Sequence, residues 1–305
     1  MFRLVFNTAM STYSIKDLER LTNIKAHTLR IWEKRYGIVE PPRSETNIRH
    51  YTDEDLKKLL NVSILNRHGI KISRIARMSN YEINQKILEV IRPESDYLSQ
   101  IEGLVVAMIE LNEERFERIL NQSIIKIGFE ESLFHVVYPF FEKVGVLWQT
   151  GTINPAQEHF ISNLIRMKLF VAIDSLPRVY DSSAKTLLMF LPEWELHEIG
   201  LLTYYYLSRK NGYRAIYLGQ NVPINDLFSV AGTVKPDVLA TYFVSAITQQ
   251  EMKDYIMQLS EHFGNQQLLI SGIQAANIQF ELPVNTRIIS SALEFKQVIR
   301  MLARD

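Results

Sequence analysis

The 305-residue sequence contains no cysteine. This absence excludes disulfides, thiolate metal sites and cysteine nucleophiles, and it fits a cytoplasmic protein. No apolar run reaches the roughly 18–20 residues that a helix needs to span a membrane. The first ten residues lack the pattern of a secretory signal. Neither a Gly-x-Gly-x-x-Gly motif nor a Walker loop occurs, which argues against a dinucleotide or nucleoside-triphosphate enzyme.

Charge is balanced over the whole chain but is unevenly distributed along it. Residues 11–92 carry 16 Lys and Arg against 10 Asp and Glu, a net charge of +6. Residues 93–305 carry 17 against 24, a net charge of −7. A basic head on an acidic body suggests that the head alone meets a polyanion. The length indicates two or three domains.

The basic segment, residues 11–80, is predicted to form a winged helix-turn-helix. Ser14 is the expected N-cap of a first helix. After a tight turn, a second helix begins at Lys25 and is ended by Gly37. Proline and polar residues at 40–51 predict a short β-wing. The second helix would offer basic and polar groups to DNA, and the alternative interpretation is a solvated basic face.

Residues 28–37, Thr-Leu-Arg-Ile-Trp-Glu-Lys-Arg-Tyr-Gly, are followed by Pro-x-Arg, Arg-x-Tyr and an Asp-x-x-Leu helix. This order resembles the MerR family of winged-helix regulators over residues 14–78. The resemblance implies that the second helix contacts DNA and that Arg49 and Tyr51 of the wing clamp the phosphate backbone. Residues expected to bind double-stranded DNA are Lys25, His27, Thr28, Arg30, Arg35, Arg43, Arg49 and Tyr51.

Residues 95–180, after a linker at 81–94, are predicted to form an antiparallel four-helix bundle. Apolar residues recur at helical spacing, and the connections between the helices are short. Helices are expected near 96–110, 113–127, 129–149 and 154–175. At the last junction Trp148 precedes Glu158 and His159 by nine intervening residues. Taken alone, these residues are interpreted as a tryptophan in the interior of the bundle and an acid–histidine pair on its surface.

Strands and helices alternate over residues 183–305, which predicts a doubly wound, Rossmann-like parallel sheet. Strands are expected at 185–191, 214–218, 237–242, 267–271 and 286–290, and helices at 198–211, 224–234, 249–263, 274–280 and 292–303. The sequence Glu195-x-His197-x-x-Gly200 follows the first strand, at the sheet edge where such folds bind ligands. Glu195 is expected to accept the proton of one His197 ring nitrogen. The alternative is a solvated loop with a chance histidine.

Glu-x-His-x-x-Gly resembles the Asp-x-His-x-x-Gly signature of cobalamin-binding domains, whose histidine is the lower axial ligand of cobalt. The resemblance gives that role to His197. It also places Ser245 and Ser271-Gly272 at two further marks of such domains, a Ser-x-Leu and a Gly-Gly. Serine in place of the first glycine is expected to narrow the slot for the nucleotide tail. Ordinary turn chemistry is the alternative interpretation for these serines.

The Trp-x9-Glu-His pattern resembles the helical domain of light-sensing MerR-type repressors that use adenosylcobalamin, the CarH/LitR type. The resemblance implies that Trp148, Glu158 and His159 cap the upper ligand. Gln149 stands where the family has a histidine that binds cobalt after illumination. The residues expected to bind the cofactor are Trp148, Glu158, His159, Glu195, His197, Gly200, Ser245, Ser271 and Gly272, with His197 on cobalt.

The leading functional hypothesis is a cytoplasmic, non-enzymatic transcriptional repressor controlled by adenosylcobalamin and light. The resemblance implies dimers, and tetramers when the cofactor is bound, with no membrane association. One alternative is a regulator of the same architecture that does not bind cobalamin and responds to another ligand or a protein partner. Another is a cobalamin-dependent methyltransferase or mutase module, against which the DNA-reading head argues.

Overall fold

The computed structural model describes residues 13–44, 47–90, 96–149, 153–177 and 183–303. The chain divides into two compact units, Met1–Ile161 and Ser162–Asp305. Within the described residues, no helix combines the length and the apolar character that crossing a bilayer requires.

The first unit begins with a winged helix-turn-helix, as predicted. Ser14 and Asp17 form a reciprocal capping box that starts the first helix, and Asn23 ends it in the left-handed conformation. The wing is a single antiparallel bridge between Arg43 and Arg49. The helices of the head are α1 (Ile15–Thr22), α2 (Ala26–Tyr36), α3 (Asp53–Arg67), α4 (Ile72–Ile75) and α5 (Asn80–Val90).

The four helical stretches predicted after the head are all present, although the third is interrupted. They are α6 (Tyr97–Ile109), α7 (Glu113–Ile127), the pair α8 (Phe129–Ser132) and α9 (Tyr138–Gln149), and α10 (Pro155–Asp174). A π-helical segment, Leu133–Val137, joins α8 to α9. Helix α6 is almost entirely buried, so it forms the centre of this region.

A buried ionic cluster joins the head to the helices that follow it. Glu102 on α6 is inaccessible to solvent, and its two carboxylate oxygens accept hydrogen bonds from Arg67 of α3 at 3.0 and 2.7 Å. Arg67 also donates to Ser99 at 2.8 Å. Lys143 of α9 lies 3.7 Å from Glu102 and donates to the carbonyl oxygen of Leu21. These contacts connect α1, α3, α6 and α9 within the first unit.

The second unit contains a five-stranded parallel sheet in the order β2-β1-β3-β4-β5. Its strands are β1 (Thr186–Met189), β2 (Arg214–Tyr217), β3 (Val238–Tyr242), β4 (Gln267–Ser271) and β5 (Thr286–Ile289). The connecting helices are α11 (Ile199–Lys210), α12 (Ile224–Val234) and α13 (Gln249–His262), and α14 (Ala292–Leu302) follows β5. Reversal of strand order at β1 and β3 creates the crevice where such sheets bind ligands.

Apolar strands explain the burial of this sheet. Leu188, Leu239 and Ile270 are fully inaccessible, and Phe190 and Ile256 join them in one core. Near-continuous apolar strands are typical of parallel sheets covered on both faces. Burying each such side chain contributes about 1.5–3 kcal/mol.

One predicted helix is wrong. The segment 274–280 forms only a single 3-10 turn, Ala275–Asn277. Ile278 takes an extended backbone conformation (φ −61°, ψ 133°), which stops the helix after one turn. All five predicted strands and the other four predicted helices of this unit are present.

Candidate functional site

Glu195 organises the loop between β1 and α11. Its side chain is completely buried. Oε1 accepts hydrogen bonds from the backbone N–H groups of Leu196 and His197, and from the Ser245 hydroxyl at 2.9 Å. Oε2 accepts from the backbone N–H groups of Val244 and Ser245, both at 2.7 Å. The carboxylate therefore fixes the loop after β1 against the loop after β3.

The pKa of Glu195 reflects this environment. Burial alone would raise it, but the hydrogen bonds from His197, Ser245 and Val244 outweigh burial and lower the pKa to about 2. Glu195 is thus a buried anion held by donors.

His197 has its imidazole oriented by that anion. Nδ1 lies 2.6 Å from Glu195 Oε1 and 3.3 Å from the Ser245 hydroxyl, while 57% of the side chain is exposed. A neutral imidazole that donates from Nδ1 carries its lone pair on Nε2. This is the carboxylate–histidine arrangement that orients metal-ligating histidines. The predicted contact between Glu195 and the His197 ring is confirmed.

Glu198 forms a second fixed carboxylate in the same loop. It accepts hydrogen bonds from Arg166 of α10 at 2.9 Å and from the Tyr217 hydroxyl at 2.7 Å. Burial and Glu198 raise the pKa of Tyr217, which keeps its hydroxyl protonated as a donor. These contacts hold the start of α11 against the end of β2.

The three residues expected to line a ligand slot beside His197 are packed by the chain itself. A Cβ atom at Gly200 would lie 2.6 Å from the Tyr242 ring, and one at Gly272 would lie 2.2 Å from the Phe243 carbonyl oxygen. Ser271 is buried, and its hydroxyl donates to the carbonyl oxygen of Ile289 at 2.7 Å. The space that the missing side chains of Gly200 and Gly272 leave free is therefore occupied by the Tyr242 ring and the Phe243 backbone.

A cobalamin fits one part of this site and not another. His197, oriented by Glu195, would offer cobalt an imidazole nitrogen of the kind that binds metal ions. The slot expected for the nucleotide tail, beside Gly200, Ser271 and Gly272, is filled by Tyr242 and backbone groups. Among the described residues no cluster of three or more His, Asp or Glu forms a separate metal site.

The head carries a groove of about 450 Å³ between α2 and the wing. Its charged lining residues are Arg30, Glu33, Lys34, Glu40, Arg43 and Arg49. Three of the residues predicted to bind DNA are thus brought to one surface by the fold. Four cations against two acids suit a phosphate backbone.

Glu33 connects the recognition helix to the wing. It accepts a hydrogen bond from Arg49 Nε at 3.0 Å and a short one from the Tyr51 hydroxyl. Tyr51 is fully buried, and burial together with Glu33 raises its pKa. In this structure the Tyr51 hydroxyl is directed to Glu33, and its contact with DNA phosphate stays a prediction. Tyr51 also supports Arg49.

The other head residues expected at DNA lie on α2, at its start or on the wing. Lys25, His27, Arg30 and Arg35 are exposed and Thr28 is partly exposed. Lys25 pairs with Glu19 at 3.0 Å, and Arg43 donates to Asn47 at 2.7 Å.

The predicted upper-face residues lie at α9 and the start of α10. Trp148 and Gln149 belong to α9, but their side chains fall outside the described part of the structure. Glu158 Oε2 lies 3.0 Å from His159 Nδ1, and the His159 side chain is 72% exposed. His135 stacks on Tyr97 with ring centroids 4.8 Å apart.

Sequence reasoning missed Glu33, Glu198 and Tyr242. Glu33 lies one helical turn after Arg30, so the helical period places it beside the DNA-facing side chains. Glu198 lies within the Glu-x-His-Glu sequence, but its partners are far along the chain. Tyr242 ends an apolar strand and has no local signal, because its significance depends on contact with Gly200.

Comparisons with known proteins agree with this architecture. Residues 13–82 match the MerR HTH family regulatory proteins, and residues 100–172 match the B12 binding domain. HTH-type transcriptional repressor CarH of Myxococcus xanthus is 27% identical over 261 residues, 83% of this chain and 86% of CarH. HTH-type transcriptional repressor CarA of the same organism is 28% identical over 242 residues, 79% of each chain.

The fold also resembles that of a solved structure, the Methanosarcina barkeri monomethylamine corrinoid protein. The TM-score is 0.53 at 14% identity, over 72% of this chain and 99% of that one. Similarity at this identity shows the fold alone. The chain therefore joins a MerR-type helix-turn-helix to a B12 binding domain and is homologous to the CarH and CarA transcriptional repressors.

Proposed function

We propose that this protein is a transcriptional repressor, and not an enzyme, whose DNA binding is controlled by adenosylcobalamin and light. The observation that carries the proposal is the Glu195–His197 pair at the carboxyl edge of the sheet. It stands in a chain homologous to two named repressors. The protein acts in the cytoplasm, as a DNA-binding regulator of this kind does.

In this proposal each part of the chain has a separate task. Arg30, Arg43 and Arg49 hold DNA phosphates from the groove of the head. Glu195 orients His197 so that Nε2 offers its lone pair to cobalt. When bound, adenosylcobalamin supplies a cobalt–carbon bond that light breaks. Trp148, Glu158 and His159 cover the upper ligand.

The proposal includes self-association into dimers and, with the cofactor, tetramers. Two heads related by a two-fold axis suit a near-palindromic operator. A ligand changes assembly only through a difference in its affinity for the two states. We therefore expect the cofactor to bind the DNA-binding assembly more tightly than the free subunits.

The test is DNA binding by the whole chain, in the dark and after green light, with and without adenosylcobalamin. A duplex selected by the protein from a random-sequence pool serves as the probe. We expect the cofactor to raise DNA affinity in the dark and light to reverse the effect. His197→Ala should abolish this response while leaving the salt-dependent basal binding of the head intact. An identical cofactor response in His197→Ala would contradict the assignment of His197.

A second function is favoured by the filled slot beside Gly200. A regulator of the same architecture that does not bind cobalamin would respond to another small molecule or to a protein partner. It would bind DNA with the same salt dependence but leave the corrin absorption spectrum unchanged at every protein concentration. The corrin spectrum therefore distinguishes the two functions without knowledge of the operator.

A further inference from the structure

Gly200 lies in the first turn of α11, where the backbone does not require glycine. A side chain is excluded there by a neighbour, because a Cβ atom would lie 2.6–2.9 Å from three carbon atoms of the Tyr242 ring. Real Cβ atoms do not approach other atoms so closely. The glycine thus creates space at the end of the sheet, and the ring of Tyr242 from β3 occupies it.

Tyr242 belongs to a stack of aromatic rings between the sheet and two helices. Its ring meets Tyr204 of α11 edge-on, with centroids 5.7 Å apart and an interplanar angle of 69°. Tyr204 stacks in parallel on Phe295 of α14, with centroids 3.8 Å apart. Edge-to-face and stacked rings attract one another beyond their burial.

Ser271 fixes this stack from the strand side. Its hydroxyl donates to the carbonyl oxygen of Ile289, so it accepts the hydrogen bond that joins it to the Tyr204 hydroxyl at 2.8 Å. Ser271 and Tyr204 are both buried. Tyr242 is the least buried of these three residues, and its side chain also hydrogen-bonds Ser271.

We propose that Tyr242 is a selectivity residue that discriminates among corrinoids by their lower nucleotide. The inference rests on the proposed corrinoid-binding function. A corrinoid that carries a nucleotide tail must displace the Tyr242 ring from Gly200 before the tail enters the slot. A corrinoid without that tail needs only the His197 edge, so this domain binds it more tightly.

Two cobalt corrinoids that differ chiefly in the tail provide the test. Aquocobalamin carries the nucleotide and diaquocobinamide lacks it. The dissociation constant of each is measured by absorption titration of the full chain and of the Tyr242→Ser and Tyr242→Phe variants. We expect the wild type to bind cobinamide at least about tenfold more tightly than cobalamin, a difference of about 1.4 kcal/mol. Displacement of cobalamin's own benzimidazole from cobalt also favours cobinamide, so the share due to Tyr242 is the change in this preference in Tyr242→Ser.

The two variants are expected to differ in their effect on cobalamin binding. Tyr242→Ser removes the ring and should tighten cobalamin binding about tenfold, with less than about a threefold change for cobinamide. Tyr242→Phe keeps the ring and should keep the wild-type preference. Equal affinities of the wild type for the two corrinoids, unchanged in Tyr242→Ser, would overturn the inference and leave the proposed function standing. Absence of binding of either corrinoid to the wild type and to Tyr242→Ser would overturn the proposed function itself.

The contact on which the inference depends has its own test, which needs no ligand. Gly200→Ala must push the Tyr242 ring away, so it should lower the unfolding midpoint of the full chain. In the Tyr242→Ser background the same substitution should have little effect, since the ring is gone. Gly232→Ala on α12, where a Cβ meets no atom within 4 Å, is the matched control and should not lower the midpoint. Equal loss from Gly200→Ala in both backgrounds would overturn the inference.

Discussion

Glu195 is the single residue on which the geometry at the sheet edge depends most. Its oxygens accept hydrogen bonds from four backbone N–H groups, the Ser245 hydroxyl and the His197 ring. Glu195→Gln would turn an amide NH2 toward donors, so we expect the free energy of unfolding to fall by about 3 kcal/mol. Glu193→Gln, at an exposed position of the same loop, should change it by less than about 0.5 kcal/mol. Urea titration measures the free energy of unfolding of both variants. Equally small decreases in the two would contradict the role given to the buried Glu195 carboxylate.

The lowered pKa of Glu195 makes a prediction about acid stability. The pKa falls from 4.5 to about 2 on folding, so the carboxylate stabilises the native state above pH 4.5. That contribution is lost as the pH falls toward the folded value, by about 2 kcal/mol between pH 6 and pH 3. The stability difference between wild type and Glu195→Gln should shrink over this interval. A stability difference between the two proteins that stays constant from pH 6 to pH 3 would contradict the lowered pKa of Glu195.

Arg49 is expected to hold phosphate without reading sequence. Arg49→Ala should weaken DNA binding alike for all duplexes and reduce the slope of log affinity against log salt by about 0.9. Arg118→Ala on α7, outside the head, is the control and should leave the slope unchanged. Binding to a panel of single-base variants of one duplex measures this, and a loss confined to one base position would contradict a phosphate role.

At the residue scale, the sequence predicted contacts between near neighbours and missed those between distant ones. Glu195 and His197 are two positions apart, so their pairing follows from the loop alone. Tyr242 meets Gly200 across 42 positions of the chain, and Tyr51 reaches Glu33 across 18. No local pattern in the sequence brings such pairs together, because packing of the finished fold does so.

At the element scale, the Arg67–Glu102 ion pair connects α3 to α6, and a single substitution can break it. Arg67→Met would leave the buried Glu102 carboxylate with Lys143 at 3.7 Å as its nearest cation. We expect the free energy of unfolding to fall by about 3–5 kcal/mol, since an uncompensated buried charge is costly. Arg118→Ala removes an exposed pair with Glu114 and should cost less than about 0.5 kcal/mol. A similar decrease in the free energy of unfolding for Arg67→Met and Arg118→Ala would contradict the stabilising role of the buried ionic cluster.

The element boundaries show why prediction succeeded for the second unit. Its strands are apolar runs separated by helical periods, and both patterns are strong when each face of the sheet is covered. The π-helical segment Leu133–Val137 was not predicted, because its apolar spacing is close to that of an ordinary helix. The helix predicted at 274–280 is wrong because Ile278 is extended and stops the helix after one turn.

At the scale of the whole molecule, the proposed control of DNA binding by the cofactor needs free-energy coupling between the cofactor and the head. Such couplings are typically about 1–3 kcal/mol, a 5–150-fold change in affinity. The buried cluster around Glu102 ties the head to α6 and α9 in one compact unit. We expect a shift of α6 or α9 to change the position of α1 and α3 in the head through these contacts. The DNA-binding surface lies in the segment 11–92, which carries a net charge of +6, whereas the rest of the chain is acidic.

The measurement that tests the central claim most directly is a dark absorption titration of adenosylcobalamin with the full chain, followed by green light. The account predicts a saturable change in the corrin spectrum, a further change on illumination, and a much weaker response in His197→Ala. Lys253→Ala, at an exposed position of α13, should respond like the wild type. A corrin spectrum that never changes, or that changes equally in His197→Ala, would contradict the claim that His197 binds the cobalt of a light-sensitive cofactor.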